Sequence, residues 1–447
     1  VARALLMGLI AGLAVPIAGN LQVGLEVLHG NGVGSDAFWQ WLDVRDVNGP
    51  AAAEEPPRYQ TTSWWWWRTS RVIHEYHLSG RAEEGLEPIV EVPAFSFVLG
   101  DMHPHVLALP FAFLSLAVAL AWWLGMTKHE SRRTNEEEAG PAGAAAGVRR
   151  LLAPVGWPLW LLTVLVLGGL SFLNTWDVLI HLFVVLGAFW LAHYYRQGHA
   201  RGLWGRTAAM ALLLAVPAVL LYLPFYLGFR SQAGAPFLLP MLMRPTRLAH
   251  YLIIFGVPLL SITLWLLVMA ARQRFRHWRT GLGVAAAGVG GLWLLMLVLM
   301  WIVASTAPGG GLVGGVAGEL GLALPLRPEG LVAPGWGLRA VAAVLPVWLG
   351  ARLASPWLTL LLAGLLALIV MALRSEAQVK PQSSPIGEAE NRDERIPTAR
   401  HAELATRHSS QPFVLLLVLT GLLLTLGPEF VYLRDNFGVR LNTTFKF

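Results

Sequence analysis

Long, uninterrupted apolar runs recur along the chain, and nothing else restricts its folding as strongly. Stretches such as "VLALPFAFLSLAVALAWWLG" and "LIIFGVPLLSITLWLLVMAA" carry no charge, and each is about the 20 residues that a helix needs to cross a ~30 Å hydrocarbon core. The runs are continuous rather than alternating, which excludes a transmembrane β-barrel. Helices remain, because a helix satisfies its own backbone hydrogen bonds inside lipid. Composition agrees: 55% of residues are hydrophobic and 13% charged, against about 25% charged in soluble chains. The expected fold is all-α, a polytopic membrane helix bundle.

Nine spans can be drawn, at Arg3–Leu21, His105–Gly125, Val155–Leu173, Val178–Tyr195, Thr207–Leu227, Leu248–Ala270, Gly281–Val303, Ser355–Leu373 and Pro412–Val431. Leu338–Ala354 stays open between an interfacial helix and part of a tilted long span. Orientation follows from the Lys/Arg bias. Arg3, the loops at 128–150, 196–206 and 272–279, and the polar run 374–411 together hold 19 of the 33 basic residues against 10 acidic ones. That side is expected to be cytoplasmic, and nine alternating spans reproduce it. The pI near 9.9 therefore reports topology and not a nucleic-acid face. With no cysteine, disulfides, thiolate nucleophiles and zinc–sulfur sites are excluded.

The chain reads as one polytopic domain, 1–447, forming a segment of a longer polypeptide in the cell membrane. Residues 22–104 form a large extracytoplasmic first loop with interfacial helices. The cytoplasmic stretches 126–154 and 374–411 are polar, Pro/Ala/Glu-rich linkers expected to be partly disordered.

Chemistry-bearing residues collect on the extracytoplasmic side. In "FSFVLGDMHPHVLALPF", Asp101, His103 and His105 precede the second span. They could be a helix cap with two interfacial histidines, or they could bind a divalent metal or act as a general base. In "TTSWWWWRTSRVIHEYH", the tryptophans suit a membrane-interface belt, or a surface helix whose Arg68 and Arg71 meet phosphate. "NTWD" reads as a capping box with Asn174 at the N-cap and Asp177 at N3, and His181 shares that face. Arg230, Arg244 and Arg247 either snorkel to headgroups or bind an anion. Finally, "EFVYLRDNFGVRLNTTFKF" supplies Glu429, Asp435, Arg440, Asn442 and Lys446, either a solvated rim or a lipid-phosphate site.

Together "GNLQ", "WWWWRTSRVI", "FSFVLGDMHPHVLALPF", "NTWD", "YLPFY" and "EFVYLRDNFGVRLNTTFKF" resemble the YYY-type family of polytopic membrane proteins, a domain of unknown function. The resemblance runs from Gly19 to Phe447. It implies a more distant similarity to the C-type (GT-C) glycosyltransferases, multi-span enzymes that use lipid-linked sugars on the extracytoplasmic face. In that family the naming tyrosine triplet and an Asp–Pro–Trp motif would precede Val1. The acidic residue of the first extracytoplasmic loop, a base or metal ligand in C-type enzymes, would lie there too, so Asp101 does not simply inherit its role.

The resulting expectation is transfer of a sugar from a polyprenyl-phosphate donor to an extracytoplasmic acceptor. Asp101, His103 and His105 would activate the acceptor or bind Mg or Mn. Arg68, Arg71, Arg230, Asp177, Glu429, Asp435, Arg440, Asn442 and Lys446 would form the substrate and phosphate site. Membrane lipids, the lipid-linked donor and other membrane subunits are the expected partners, and nucleic acid is not. The alternative is a non-enzymatic structural or accessory subunit of a membrane complex.

Overall fold

The computed structural model describes residues 2–17, 19–45, 47, 49, 65–82, 88–90, 92–100, 104–128, 144–197, 202–230, 236–322, 324, 335–378, 399–434 and 440–446. These are predominantly helical. In chain order the helices are α1 (Ala2–Ile17), α2 (Gln22–Gly30), α3 (Asp36–Leu42), α4 (Trp65–Arg68), α5 (Pro93–Leu99), α6 (Pro104–Lys128), α7 (Ala144–Leu152), α8 (Trp157–Leu173) and α9 (Asp177–Gln197). They continue with α10 (Leu203–Leu221), α11 (Leu223–Gly228), α12 (Leu248–Arg272), α13 (Trp278–Ala304), α14 (Ala307–Glu319), α15 (Trp336–Ala354), α16 (Trp357–Gln378), α17 (Ala399–Leu426) and α18 (Arg440–Lys446). Two short strands, β1 (Leu238–Pro240) and β2 (Val431–Leu433), pair antiparallel with Leu239 opposite Tyr432.

Among the described residues, eight helices are long and apolar enough to span a membrane: α6, α9, α10, α12, α13, α15, α16 and α17. The nine expected spans map onto seven of these plus α1 and α8, which are shorter apolar helices. The open segment Leu338–Ala354 is α15. Small residues record its course. A Cβ on Gly281 of α13 would meet the Ala367 carbonyl oxygen of α16 at 2.6 Å, and further along, Gly337 of α15 abuts Trp301 and Ser305. Thus α16 lines the first half of α13 and α15 the second, both antiparallel to it.

Two apolar cores hold the bundle. One joins α6, α8, α9 and α10 around Trp122, Trp123, Leu170, Phe189 and Met210. The other joins α12, α13, α15 and α16 around Leu266, Met300, Val344, Trp348 and Leu362. Helix α17 belongs to both, with Leu415 in the second and Phe413 and Leu416 in the first. The register fixes which ends lie together. Trp123 near the end of α6 meets Tyr195 near the end of α9, so these helices run parallel. A Cβ on Gly187 of α9 would meet Leu416 of α17 at 2.7 Å, and Leu179 and Ile180 face Leu423 and Leu424. So the starts of α6, α9 and α12 share one end of the bundle with the termination of α17.

That end carries a cap. Ser35 N-caps α3 by accepting from the Phe38 N–H at 3.2 Å, and Asp43 ends it in the left-handed region at φ 57°. Val44 and Val72 pack with Trp39 and Ile73 on Ile253, Ile254 and Leu441. The 126–154 and 374–411 linkers are partly helical: α6 reaches Lys128, α7 occupies Ala144–Leu152, α16 reaches Gln378 and α17 begins at Ala399. Residues 129–143 and 379–398 lie outside the described residues.

Candidate functional site

At the junction of cap and bundle lies a buried charged cluster assembled from four distant segments. Arg440, at the start of α18, is 1% exposed, Glu75 3% and Glu429 2%. A charge removed from water this completely persists only when it is paired and hydrogen-bonded. Arg440 meets that condition with all five of its N–H donors. Its Nε donates to Glu75 at 2.8 Å; Nη1 donates to Glu429 at 2.8 Å and to the Pro428 carbonyl at 3.3 Å. Its Nη2 donates to Thr246 Oγ1 at 2.9 Å and to the Arg244 carbonyl at 3.4 Å.

Glu429 is filled from every side as well. It accepts from the Thr246 hydroxyl at 2.5 Å, the Thr246 N–H at 3.1 Å and Arg352 Nη1 at 3.2 Å. Arg352 donates further to Thr359 and to the Glu429 carbonyl, and its guanidinium lies 4.6 Å from the centre of the Phe430 ring. The second Glu75 oxygen accepts the Leu441 N–H at 3.1 Å. Burial pushes the Glu75 carboxyl above its ordinary range, partly offset by the Arg440 charge and hydrogen bonds. Burial alone would lower the Arg440 guanidinium, but the two carboxylates outweigh it and hold it above its ordinary value.

Two further joints hold the cap. Arg68 grips Glu26 with Nε at 2.8 Å and Nη2 at 3.0 Å, and Gln22 adds a bond to the same carboxylate at 3.2 Å. This bidentate pair ties "WWWWR" to Gln22 of "GNLQ" as one structural unit. Nearby, Tyr76 donates to Asp43 at 2.5 Å, Arg247 lies over Trp41, and His250 contacts the Leu42 carbonyl at 2.8 Å. Burial, reinforced by Asp43, pushes the Tyr76 phenol up to about 12.

Other expected site residues are placed as follows. Arg71 packs over Trp67 at 4.7 Å and donates to Ser70, so the two arginines of "WWWWRTSR" serve different contacts. Arg230 is exposed after α11; Arg244 lies against Gly80; Arg247 lies 3.7 Å from Asp43. Asn174 does not N-cap α9. It ends α8, taking the Leu170 carbonyl with its N–H, and its side-chain amide donates to Asp177 at 3.0 Å. Only three residues separate α8 from α9, so the earlier helix uses Asn174 and Asp177 opens the next. His181 is buried, and its Nδ1 has no hydrogen-bond partner among the described residues. Asn442 Oδ1 accepts the Ile89 N–H at 2.9 Å. Asp101, His103 and Asp435 lie outside the described residues; for His105 and Lys446 only the backbone is described, in the first turn of α6 and the last of α18. Among the described residues no group of three or more His, Asp or Glu could hold a metal.

Sequence reasoning missed Glu75, Arg352 and Thr246. Arg352 is a buried charge near the end of a long apolar helix whose other charge, Arg339, is exposed, which is the usual mark of an intramembrane charge with a partner; the other two had no local signal.

The expected likeness to C-type glycosyltransferases finds no support in comparisons with known proteins, since no curated protein and no solved structure matches the chain. A family profile does match, across residues 1–447. With its apolar spans and this full-length match, the chain is a multi-pass membrane protein belonging to the uncharacterized membrane protein family DUF2298.

Proposed function

We propose that the protein is a glycosyltransferase-like membrane enzyme, transferring a sugar from a polyprenyl-phosphate donor to an acceptor at the cap end. One observation supports this reading above others. Helix α6 (whose first turn holds His105, the end of the Asp101–His105 motif), α9 (which opens on Asp177) and α17 (which leads into Glu429) all bring that end of themselves to the same side of the bundle. Polar groups gathered at a membrane boundary are the usual mark of a functional site, and a lipid-linked donor holds its phosphate at that depth. The Lys/Arg bias assigns the cap end to the extracytoplasmic side of the cell membrane.

The chemistry breaks the bond between the anomeric carbon and the phosphate oxygen, which keeps the electron pair. The acceptor hydroxyl forms the new glycosidic bond and gives up its proton. Asp101 and His103 would take that proton, with His105 beside them. One carboxylate and two imidazoles at alternate positions also suit a divalent ion such as Mg or Mn, which would neutralise phosphate charge. Arg71, Arg230 and Lys446 would bind the phosphate in this reading. Asp177, Asp435 and Asn442 would frame the site. Arg68, Arg440 and Glu429 would hold its walls, because their charged groups are met by protein partners.

The test is transfer by the purified chain in vesicles supplied with a labelled polyprenyl-phosphate sugar. Asp101→Asn should abolish transfer with an unchanged unfolding profile; wild-type turnover in that variant removes Asp101 from the mechanism. A second reading, a non-enzymatic subunit of a membrane complex, is favoured by the complete internal pairing of Arg440, which makes the C-terminal motif a joint. Absence of transfer by the wild-type chain with every lipid-linked donor offered would favour it.

A further inference from the structure

A groove of about 410 Å³ runs between α12, α16 and α17. Its walls are Phe255 and Ile262 on α12 and Leu417 and Gly421 on α17, with Leu365 and Ile369 of α16 beneath. Pro258 and Gly421 on its rim are exposed, so it opens sideways from three helices that each qualify as membrane spans. From Tyr251 to Ile262 it follows α12 for about 17 Å at 1.5 Å per residue, close to half of a ~30 Å hydrocarbon core. Its depth is therefore that of one leaflet.

Polarity is confined to the cap end of the groove. There Tyr251 donates to Thr425 Oγ1 at 3.1 Å, and Thr444 of α18 closes the lining. Thr444 is 6% exposed, yet its hydroxyl has no hydrogen-bond partner among the described residues. A buried hydroxyl left unpaired is costly and marks a place where a ligand atom completes the bonding. Arg440 fixes the same helix, α18, from its other end.

We propose that this groove is the seat of the polyprenyl phosphate, with the first isoprene units between α12 and α17 and the phosphate end accepting from Thr444 Oγ1. The assignment rests on the donor class proposed above and adds where that lipid sits. One chain-wide furrow of one-leaflet depth, apolar along its length and polar only at the cap end, fits a single-chain lipid better than a two-chain phospholipid.

Gly421 gives a clean probe, because a Cβ there meets nothing within 4 Å; Gly421→Phe fills the groove from open space instead of displacing the protein. Thr444→Val removes a hydroxyl that makes no bond among the described residues, so folding should be unimpaired. Lipid retention by the detergent-purified full chain is measured by native mass spectrometry, with polyprenyl phosphate and phosphatidylglycerol as separate probes. The wild type should retain polyprenyl phosphate, and Gly421→Phe should weaken retention by about tenfold or more. Thr444→Val should weaken it by about fivefold. Unchanged retention in Gly421→Phe overturns the groove assignment, and equal retention of phosphatidylglycerol at matched concentration overturns the single-chain occupant. Retention without any sugar transfer leaves the groove standing and removes the transferase reading; transfer with full activity in Gly421→Phe does the reverse.

Discussion

Replacing Arg440 with methionine tests whether the buried cluster is the joint between cap and bundle. Methionine keeps much of the side-chain length but removes all five donors, so Glu75 and Glu429 lose their shared cation. The two losses are unequal. Glu429 keeps Arg352 and both Thr246 donors, whereas Glu75 keeps the backbone N–H bonds of Leu441 and of position 440 and no cation among the described residues. Stranding one partner of a buried ion pair costs about 3–5 kcal/mol, and most of that should fall on Glu75. Burial already raises the Glu75 carboxyl, and loss of Arg440 raises it further. An acid with a raised pKa in the folded state contributes stability that is fully present below its unfolded value and is lost as pH rises through the folded value. The Arg440→Met defect should therefore be small near pH 4, grow as pH rises, and level off once Glu75 would have to ionise in the fold. The assay is thermal or denaturant unfolding of the purified chain from pH 4 to pH 8, with proteolysis of the cap as a local readout. Adding Glu75→Gln to Arg440→Met should flatten the pH dependence. A loss under about 1 kcal/mol at pH 8, or a defect independent of pH, would refute the assignment of the cluster as a stability-bearing joint.

Three further outcomes follow from the same contacts. Tyr76 donates to Asp43 with its phenol raised to about 12, so cap protection against proteolysis should decline as pH rises from about 10 toward 12, and Tyr76→Phe should remove that step. Gly281→Val places a side chain 2.6 Å from the Ala367 carbonyl, a backbone atom that cannot swing away; it should destabilise the α13–α16 pair by about 1–3 kcal/mol, whereas Gly283→Val, with open space at its Cβ, should stay within about 1 kcal/mol. Because the chain has no cysteine, single Ser131→Cys and Arg230→Cys variants can report sidedness with a membrane-impermeant thiol reagent in intact cells. Labelling of Arg230→Cys alone is expected; labelling of Ser131→Cys alone would invert the Lys/Arg topology.

The sequence by itself determined the class of molecule. Runs of about 20 uncharged residues leave a helix few alternatives in lipid, so α6, α9, α12, α13, α16 and α17 lie where hydropathy puts them. It also identified Arg440, Glu429 and Arg68 as unusual, since charges beside apolar runs stand out locally. Their partners were not legible. Glu75 lies 365 residues from Arg440 along the chain, and Glu26 lies 42 from Arg68; no local pattern encodes such pairings. The placement of α15 against the second half of α13 depended on Gly337 admitting the Trp301 backbone, a steric fact of two surfaces. Asn174 likewise changed helix because α8 and α9 meet too closely for a separate cap. Composition and periodicity fix what each segment becomes, because those preferences are short-range. Which charged groups share a buried junction, and which helices leave a groove between them, was decided only when the segments packed.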